Sequence, residues 1–577
     1  MAKLANSAGG EKLEMTSKNP EQDHGGRLTD KRFWPALVTF VIVPVVIAIL
    51  MAYYLLICRR VVGEIGFPLD DSWIHVRFAQ NLARGYGFSF NPGEPASTTT
   101  APLWTLILAL GYRLTHEYVF TAAALNWVLC SLTAITAGAL ARTLVPHRSF
   151  GAAVALLVAV TIPLSWFALS GMEPPLFKWL TLLGILMHVR YRRAPGVKGI
   201  VPTVVFGIAV YARPELVLLF GLAMVDRLLM LSRERRETGC LASWIKQVLV
   251  HTPVFALLVA PLVIHNMRVI DRPLPSSYYI KAYNFGITWG IATGMKELVI
   301  RSLVVAPIKE VFANLWMWFG NNVALLVPFL FGFGAIVRRA ARLEIPKHSS
   351  FLIPLLLVVQ PVARGISTNF YRAPWFQSQR YAANLGPLYL LVGMVGLWWW
   401  LQERRPRKLK LVLATGLCLM LVASLARQPD QARLFAHNVK NITEMQVTTA
   451  RWLKANVPDH SVLAVNDVGA IAAITDFSIV DMIGLVSPET LACRTLENAI
   501  GGKWVQCTWE VAESKNPDYL VLVMQPERYE GYLRGGHRPI FDIKIDDNIT
   551  CGGPWIVVFE WRGLRRSSEG AADSREG

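Results

Sequence analysis

From residue 34 to residue 426 the chain alternates apolar stretches with short polar ones. The apolar stretches run roughly 17 to 25 residues, the length at which a helix crosses about 30 Å of hydrocarbon. The Lys and Arg between them give a direction. Basic groups fall at Lys31 and Arg32, Arg142 to Arg148, Arg190 to Lys198, Arg233 to Lys246, Arg338 to Arg342 and Arg404 to Lys410, and the positive-inside rule places all of them in the cytoplasm. A first span at about 34–57 then leaves the cytoplasm, and PLDDSWIHVRFAQ (68–80) emerges on the far side. PLWTLILALGYRL (102–114) is too short to cross and is expected in the outer leaflet, so residues 59–117 form one large outer loop. Further spans are expected near 118–143, 150–169, 174–190, 199–212, 214–231, 247–266, 317–337, 350–366, 382–401 and 409–426, making about 11 crossings.

After Arg427 the period changes. QVTTARWLKANVP patterns as an amphipathic helix, and SVLAV, SIVDMI, DYLVLV and WIVVFEW are short β-rich runs. Residues 427–565 therefore read as a soluble α/β domain on the outer face, after a transmembrane domain at 34–426. The polar ends, 1–33 and 566–577, read as disordered tails, the first of them cytoplasmic and without a cleavable signal pattern.

Composition supports a polytopic α-helical membrane protein: 53% of the 577 residues are hydrophobic and only 17% are charged. The net charge of +18 lies in short clusters between apolar runs and not in one stripe, which argues against a nucleic-acid partner. The seven Cys lack metal-ligand spacing; Cys493, Cys507 and Cys551, in the last section, leave room for one disulfide in an oxidising compartment.

Ionisable residues at span mouths are expensive, and here they collect on the outer side. They are Asp70, Asp71, His75 and Arg77 in the first loop; Glu173 in SGMEPPLF; Arg213 and Glu215 in ARPE; Tyr278, Tyr279 and Lys281 in PSSYYIKAYN; and Arg372, Arg380 and Tyr381 in NFYRAPWFQSQRYAANLGP. A helix starting after Pro68 puts Asp70, Arg77 and Arg84, spaced by seven, on one face, with both Asp in its first turn. One Asp suffices to cap such a helix; a second points to chemistry. Glu173 reads equally as a cap for the span after it, Arg213 with Glu215 as an ion pair, and His75 as packing. Carboxylates and cations together at one face fit a lipid-borne phosphate donor and a hydroxyl acceptor: Lys and Arg hold the phosphate, and an ionised Asp takes the proton. A transporter would place its ionisable groups nearer the bilayer midplane.

PLDDSWIHVRFAQNLARGYGFSFNPGEPASTTTAPLWTLILAL, SGMEPPLF, ARPE, PSSYYIKAYN, QRYAANLGPLYLL and NDVGAIAAITDFSIVDMIGL, in that order over residues 34–545, resemble the GT-C superfamily of integral-membrane glycosyltransferases. The likeness is to the bacterial branch that includes terminal mycobacterial arabinofuranosyltransferases and, more distantly, to protein O-mannosyltransferases and the aminoarabinose transferase of lipid A. The resemblance implies a polyprenyl-phosphate sugar donor, an inverting transfer to an extracytoplasmic glycan, lipid or protein, and a site in the first outer loop of an inner-membrane protein. It implies Asp70 as the catalytic base and Asp71 as the second acidic position. It further implies Lys281, Arg380 and Arg213 at the donor phosphate and Tyr278 and Tyr279 along the sugar or lipid groove, with no metal or other cofactor. STTTAPLW (97–104) departs from relatives that carry an acidic or bulky residue there, so the arabinose assignment does not carry over. A lipid or polysaccharide transporter and a catalytically degenerate glycan-binding protein are the competing readings.

Overall fold

The computed structural model describes residues 33–562 apart from 98, 235–239, 286, 320–325, 344–349, 369–375, 403–406, 496–497, 499–502 and 535–536. Both expected tails and Arg372 thus lie outside the described residues, apart from Phe33 at the edge of the first tail.

The protein is a multi-pass membrane protein whose helices follow the apolar periodicity. Helix α1 (Phe33–Val62) contains a π turn at Val38–Ile42, just ahead of Pro44. Proline has no N–H to give and crowds the carbonyl four residues back, and the wider turn relieves both. The loop helices follow as α2 (Asp70–Ala83) and α3 (Pro102–Thr115), the latter with Pro102 at its first position. Then come α4 (Tyr118–Leu144), α5 (Arg148–Val160), α6 (Pro174–Tyr191), α7 (Val197–Val210) and α8 (Val217–Glu234). Helix α9 (Cys240–Ile270) runs longer than the expected 247–266 and is followed by α10 (Ser276–Phe285).

The expected span near 317–337 falls on α11 (Ala306–Phe319) and α12 (Leu326–Arg342), with 320–325 between them outside the described residues. Helices α13 (Leu352–Thr368), α14 (Gly386–Gln402) and α15 (Arg407–Ala426) complete the bundle. By length and composition alone, four described helices can cross a bilayer: Phe33–Val62, Tyr118–Leu144, Leu241–Ile270 and Arg380–Gln402. Large apolar side chains stand exposed on the helices, among them Phe40, Ile49, Leu249, Leu257 and Val327, a surface suited to lipid.

At the contact of α12 with α14 the backbones meet. A Cβ on Gly396 would lie 2.1 Å from the Pro328 carbonyl oxygen, and one on Gly332 would lie 2.2 Å from that of Val392. Only hydrogen fits there.

The C-terminal unit starts with α16 (Gln428–Ile442), which continues through a π turn into α17 (Thr448–Asn456). Its sheet has the order β2-β1-β3-β5-β4. Strands β1 (Val462–Val465), β2 (Ser478–Asp481) and β3 (Tyr519–Met524) are parallel, joined by the crossover helix α18 (Gly469–Thr475). β5 (Trp555–Glu560) pairs antiparallel with β3 and with the edge strand β4 (Arg538–Lys544). β4 did not show in the apolar pattern because it carries Pro539 and three charges, Arg538, Asp542 and Lys544, and its ladder shifts register between Pro539 and Phe541. One sheet face packs on Ile471 and Leu453, the other on Ala512 of α19 (Trp504–Ser514). Of the three candidate cysteines, Cys493 and Cys507 are bonded and Cys551 is free.

The sheet's first core is not the domain's alone. Ile74 and Phe78 of α2, with Phe90 and Ala96 of the first loop, are buried in it beside Leu463, Val465 and Ile471. The first loop and the C-terminal domain are one packed body. Asn91 reinforces the seam, donating to the Ile479 carbonyl at 3.0 Å and accepting from the Ile479 N–H at 2.9 Å.

Gly396→Val should force α12 and α14 apart. Overpacking of this kind costs about 1–3 kcal/mol, so thermal unfolding in detergent should shift down by several degrees, whereas Val at the open, uncrowded Gly334 should leave the midpoint in place.

Candidate active site

Helix α2 starts at Asp70, and its two carboxylates point to different partners. Asp70 is 7% exposed. Its Oδ2 accepts from the Gly469 N–H at 2.7 Å and its Oδ1 from the Ala470 N–H at 2.8 Å, the first amides of α18. The Asp467 carboxyl interacts with it as well. Burial pushes its proton affinity up, and these three contacts oppose that. Arg77, on the same face, donates to the Phe90 carbonyl at 2.9 Å and pairs with Asp476 just beyond α18, where Arg84 joins it at 2.8 Å. These charges hold Asp476 below the usual carboxylate range despite partial burial. The face carrying Asp70, Arg77 and Arg84 is thus the seam with the C-terminal domain, and Arg77, expected at the donor, is spent there.

Asp71 is turned the other way. Its side chain is 42% exposed and it pairs with Arg380, which lies in the 3-10 turn Phe376–Leu385 leading into α14. The Arg380 side chain is 7% exposed. It donates at 3.0 Å to the Tyr381 hydroxyl and at 3.0 Å to the Met172 sulfur, a weak acceptor, while its Nε meets no acceptor. Buried guanidinium edges left with sulfur or nothing are unsatisfied donors, and an anion would satisfy them.

Beside this pair sits a second one. Glu173, fully buried ahead of Pro174, accepts from Arg213 at 2.7 Å, and Arg213 reaches Glu215 at 2.6 Å. His75 stands 3.4 Å from Glu173 and 3.3 Å from the Thr105 hydroxyl. Burial alone would raise the Glu173 carboxyl; the neighbouring His75 and the charge of Arg213 outweigh it and hold the group down at about 2. Both guanidiniums lie 5.0 Å from the Tyr381 ring, which joins the two pairs.

Of the residues singled out in the sequence, the structure brings together Asp71, Glu173, Arg213, Glu215, Arg380 and Tyr381. Tyr278 and Tyr279 stand on α10, edge to face at 5.4 Å, with Arg272 over Tyr279 at 4.9 Å. Lys281 is on the same helix, and its side chain lies outside the described part. The bridging position of His75 was not expected from the sequence, nor were the contacts of Met172 and Asp467, the last of which lies in the stretch NDVGAIAAITDFSIVDMIGL. Among the described residues no three His, Cys, Asp or Glu side chains gather into a metal-binding group. What the site offers is cation, for an anion, and two partly exposed carboxylates, Asp71 against Arg380 and Glu215 against Arg213.

Comparison with known proteins agrees with this architecture. A family profile described as a domain of unknown function (DUF8728) matches residues 438–568. The terminal beta-(1->2)-arabinofuranosyltransferase of Mycobacterium tuberculosis is 31% identical over 186 residues, which cover 29% of this chain and 29% of that protein. ArnT from Cupriavidus metallidurans bound to undecaprenyl phosphate superposes with a TM-score of 0.53 at 11% identity, over 89% of this chain and 97% of that one. The oligosaccharyltransferase AglB from Archaeoglobus fulgidus, in complex with an inhibitory peptide and a dolichol-phosphate, gives a TM-score of 0.53 at 13% identity, over 85% and 70%. The fold is that of the GT-C membrane glycosyltransferases.

Removing one member of a buried ion pair costs about 3–5 kcal/mol, because the other charge stays behind. Arg213→Met should therefore unfold at markedly lower temperature in detergent, and adding Glu173→Gln should recover much of the loss. Equal melting of the single and double variants would contradict the coupling.

Proposed function

We propose that the protein is a glycosyltransferase that moves one sugar from a polyprenyl-phosphate donor to a hydroxyl of an extracytoplasmic glycan, lipid or protein, inverting the anomeric centre. The observation that carries this reading is the Asp71–Arg380 pair: a partly exposed carboxylate against a buried guanidinium with donors to spare. The curated relative's name and the polyprenyl phosphates named with the two superposed structures support the donor class.

In the proposed reaction the donor phosphate takes up the unsatisfied edge of Arg380, with Arg213 adding positive charge across Tyr381. Phosphate at Arg380 competes with Asp71 and loosens the ion pair, so the carboxylate becomes available as the donor arrives. Asp71 accepts the proton of the acceptor hydroxyl. The oxygen forms its bond to the anomeric carbon from the face opposite the phosphate, the carbon–oxygen bond to phosphate breaks, and the electron pair leaves with the lipid phosphate. An ordinary Asp, with a pKa of about 4, is ionised at neutral pH, as a base must be.

This assignment exchanges the parts given to the two Asp by the resemblance. Asp70 is committed to two backbone amides and a carboxyl of the C-terminal domain, and a proton acceptor must reach substrate. Tyr278, Tyr279 and Lys281 remain proposed for the lipid or sugar groove. The domain division at about residue 427, an extracytoplasmic site in the inner membrane and a reaction without metal belong to the same proposal.

Asp71→Asn should lower transfer by about 10²–10⁴-fold, the usual contribution of a general base, while the protein still binds undecaprenyl phosphate. Arg380→Lys should weaken that binding and lower turnover together, since an ammonium cannot reproduce the planar fork. Wild-type turnover in Asp71→Asn would sink the mechanism. Transport of lipid across a liposome bilayer without a new glycosidic bond would favour the transporter.

A further inference from the structure

The contact between Asp70 and Asp467 joins a buried carboxyl to a half-buried one. Asp70 is 7% exposed. Asp467 is held from its other side by Gln446, whose amide nitrogen donates to Oδ2 at 2.7 Å. The Gln446 carbonyl oxygen is in turn 3.4 Å from the Cys551 sulfur. The groups that meet Asp467 are therefore Gln446 from the π turn between α16 and α17, Asp70 and Asp71 from α2, and Cys551 from the loop before β5. None of these four is a cation.

Two carboxylates in contact, one buried and one half-buried, with no cation among the groups named, resist ionising together; a proton held by one is donated to the other. The donor is set by what else aims at each group. Asp70 already accepts from two backbone N–H groups, which favours its ionised form. Asp467 has one amide donor and faces two neighbouring negative charges. The proton rests on Asp467.

The place of this bond matters. Gly469 lies so close to α2 that a Cβ there would sit 2.1 Å from the Asp70 carbonyl oxygen. That carbonyl belongs to the peptide unit that leads into Asp71. The domain's turn is packed on the backbone that aims the exposed carboxylate at Arg380.

We propose that Asp467 is a positioning residue of the transfer reaction: protonated, it donates to Asp70, and the shared proton fixes the C-terminal domain on the head of α2 so that Asp71 faces Arg380. This rests on the transferase reading for its catalytic consequence and stands apart from it for the docking. Burial and the Asp70 charge push the Asp467 carboxyl well above its ordinary range. A group raised on folding stabilises the docked state fully below its ordinary pKa of about 4, and that stabilisation is lost as pH rises through the raised value. The head of α2 should loosen at the alkaline side and not at the acid side.

The test compares full-length wild type, Asp467→Asn and Asp467→Leu in lipid nanodiscs. An Asn amide keeps a donor for Asp70 but cannot lose it with pH; Leu has none. Docking is read as hydrogen-exchange protection of the Gly469 and Ala470 amides, corrected for intrinsic rates across pH. Turnover is read as release of undecaprenyl phosphate from synthetic undecaprenyl-phosphate pentose and hexose donors.

In Asp467→Leu, protection should fall by about tenfold or more, the size expected of one lost buried hydrogen bond to a charged group. Its kcat should fall with it and KM for the donor should change little. Asp467→Asn should keep protection and kcat within about threefold, being the conservative replacement of that donor, and lose the alkaline decline of the wild type. Unchanged protection in the Leu variant, or lost protection with unchanged kcat, overturns the proposal. If wild type turns over none of the donors, the transferase reading fails by itself, and the exchange arm still decides the shared-proton docking: Leu open and Asn closed supports it, both closed overturns it.

Discussion

The arrangement depends on one buried carboxylate. Asp70 ends the extended approach from the first helix, starts α2, and satisfies the first two amides of α18 nearly 400 residues later in the chain. Three requirements meet in that group. Helix α2 needs an acid in its first turn, α18 needs an acceptor for its orphan amides, and the C-terminal domain needs an anchor on the membrane part. Seven and fourteen residues on, Arg77 and Arg84 repeat the pattern with opposite charge at the far end of α18, through Asp476. One helix of the domain is thereby clamped at both ends by one helix of the first loop, and the apolar side chains between them, Ile74 and Phe78 against Ile471, fill the gap.

Two sets of ionisable groups sit at opposite ends of α6. Glu173, His75 and Arg213 gather at the start of α6, beside the pair of Asp71 and Arg380. At the other end of the same helix, His188 and Arg192 close on the fully buried Asp226 at 2.7 and 3.2 Å, and the Asp226 carboxylate also accepts from the Phe351 N–H at 2.5 Å. The fifteen residues from Glu173 to His188 place these sets about 22 Å apart at the helical rise per residue. The second set is buried throughout and ties α6 and α8 to the start of α13 around one acid, although the His188 Nδ1 there meets no partner among the described residues. The first reaches the surface at Asp71, whose side chain is 42% exposed, and that access is what separates a binding site from a brace.

Much of this was legible in the chain. Many helix boundaries followed the apolar runs, since a bilayer-length run has few alternatives, and the short 102–114 stretch forms a 14-residue helix of its own. The span expected at 150–169 instead ends at Val160, ahead of Pro163, and a separate short helix forms at Leu164–Leu169. The helix phase was also right in putting Asp70, Arg77 and Arg84 on one face. What that face meets was not legible, because Asp476 lies 392 residues beyond Arg84 and nothing local marks a partner so distant. The same reason explains the exchange of parts between Asp70 and Asp71. Adjacent residues on a helix point about 100° apart, and sequence fixes that divergence without saying which side holds the domain. β4 escaped because an edge strand with proline and charge has no alternation to read.

The glycine contact of α12 with α14 has a bearing on motion. Helix α14 continues directly from the turn that carries Arg380 and Tyr381, and 94% of its apolar span is buried. At Gly386 the Trp318 ring sits where a Cβ would have to go, and at Gly396 a neighbouring backbone does the same. A helix pinned at two such points has no slack along its axis, so the guanidinium at its head is a stator. Any stroke that opens the Asp71–Arg380 pair must come from the carboxylate side, through α2 and the domain seated on it.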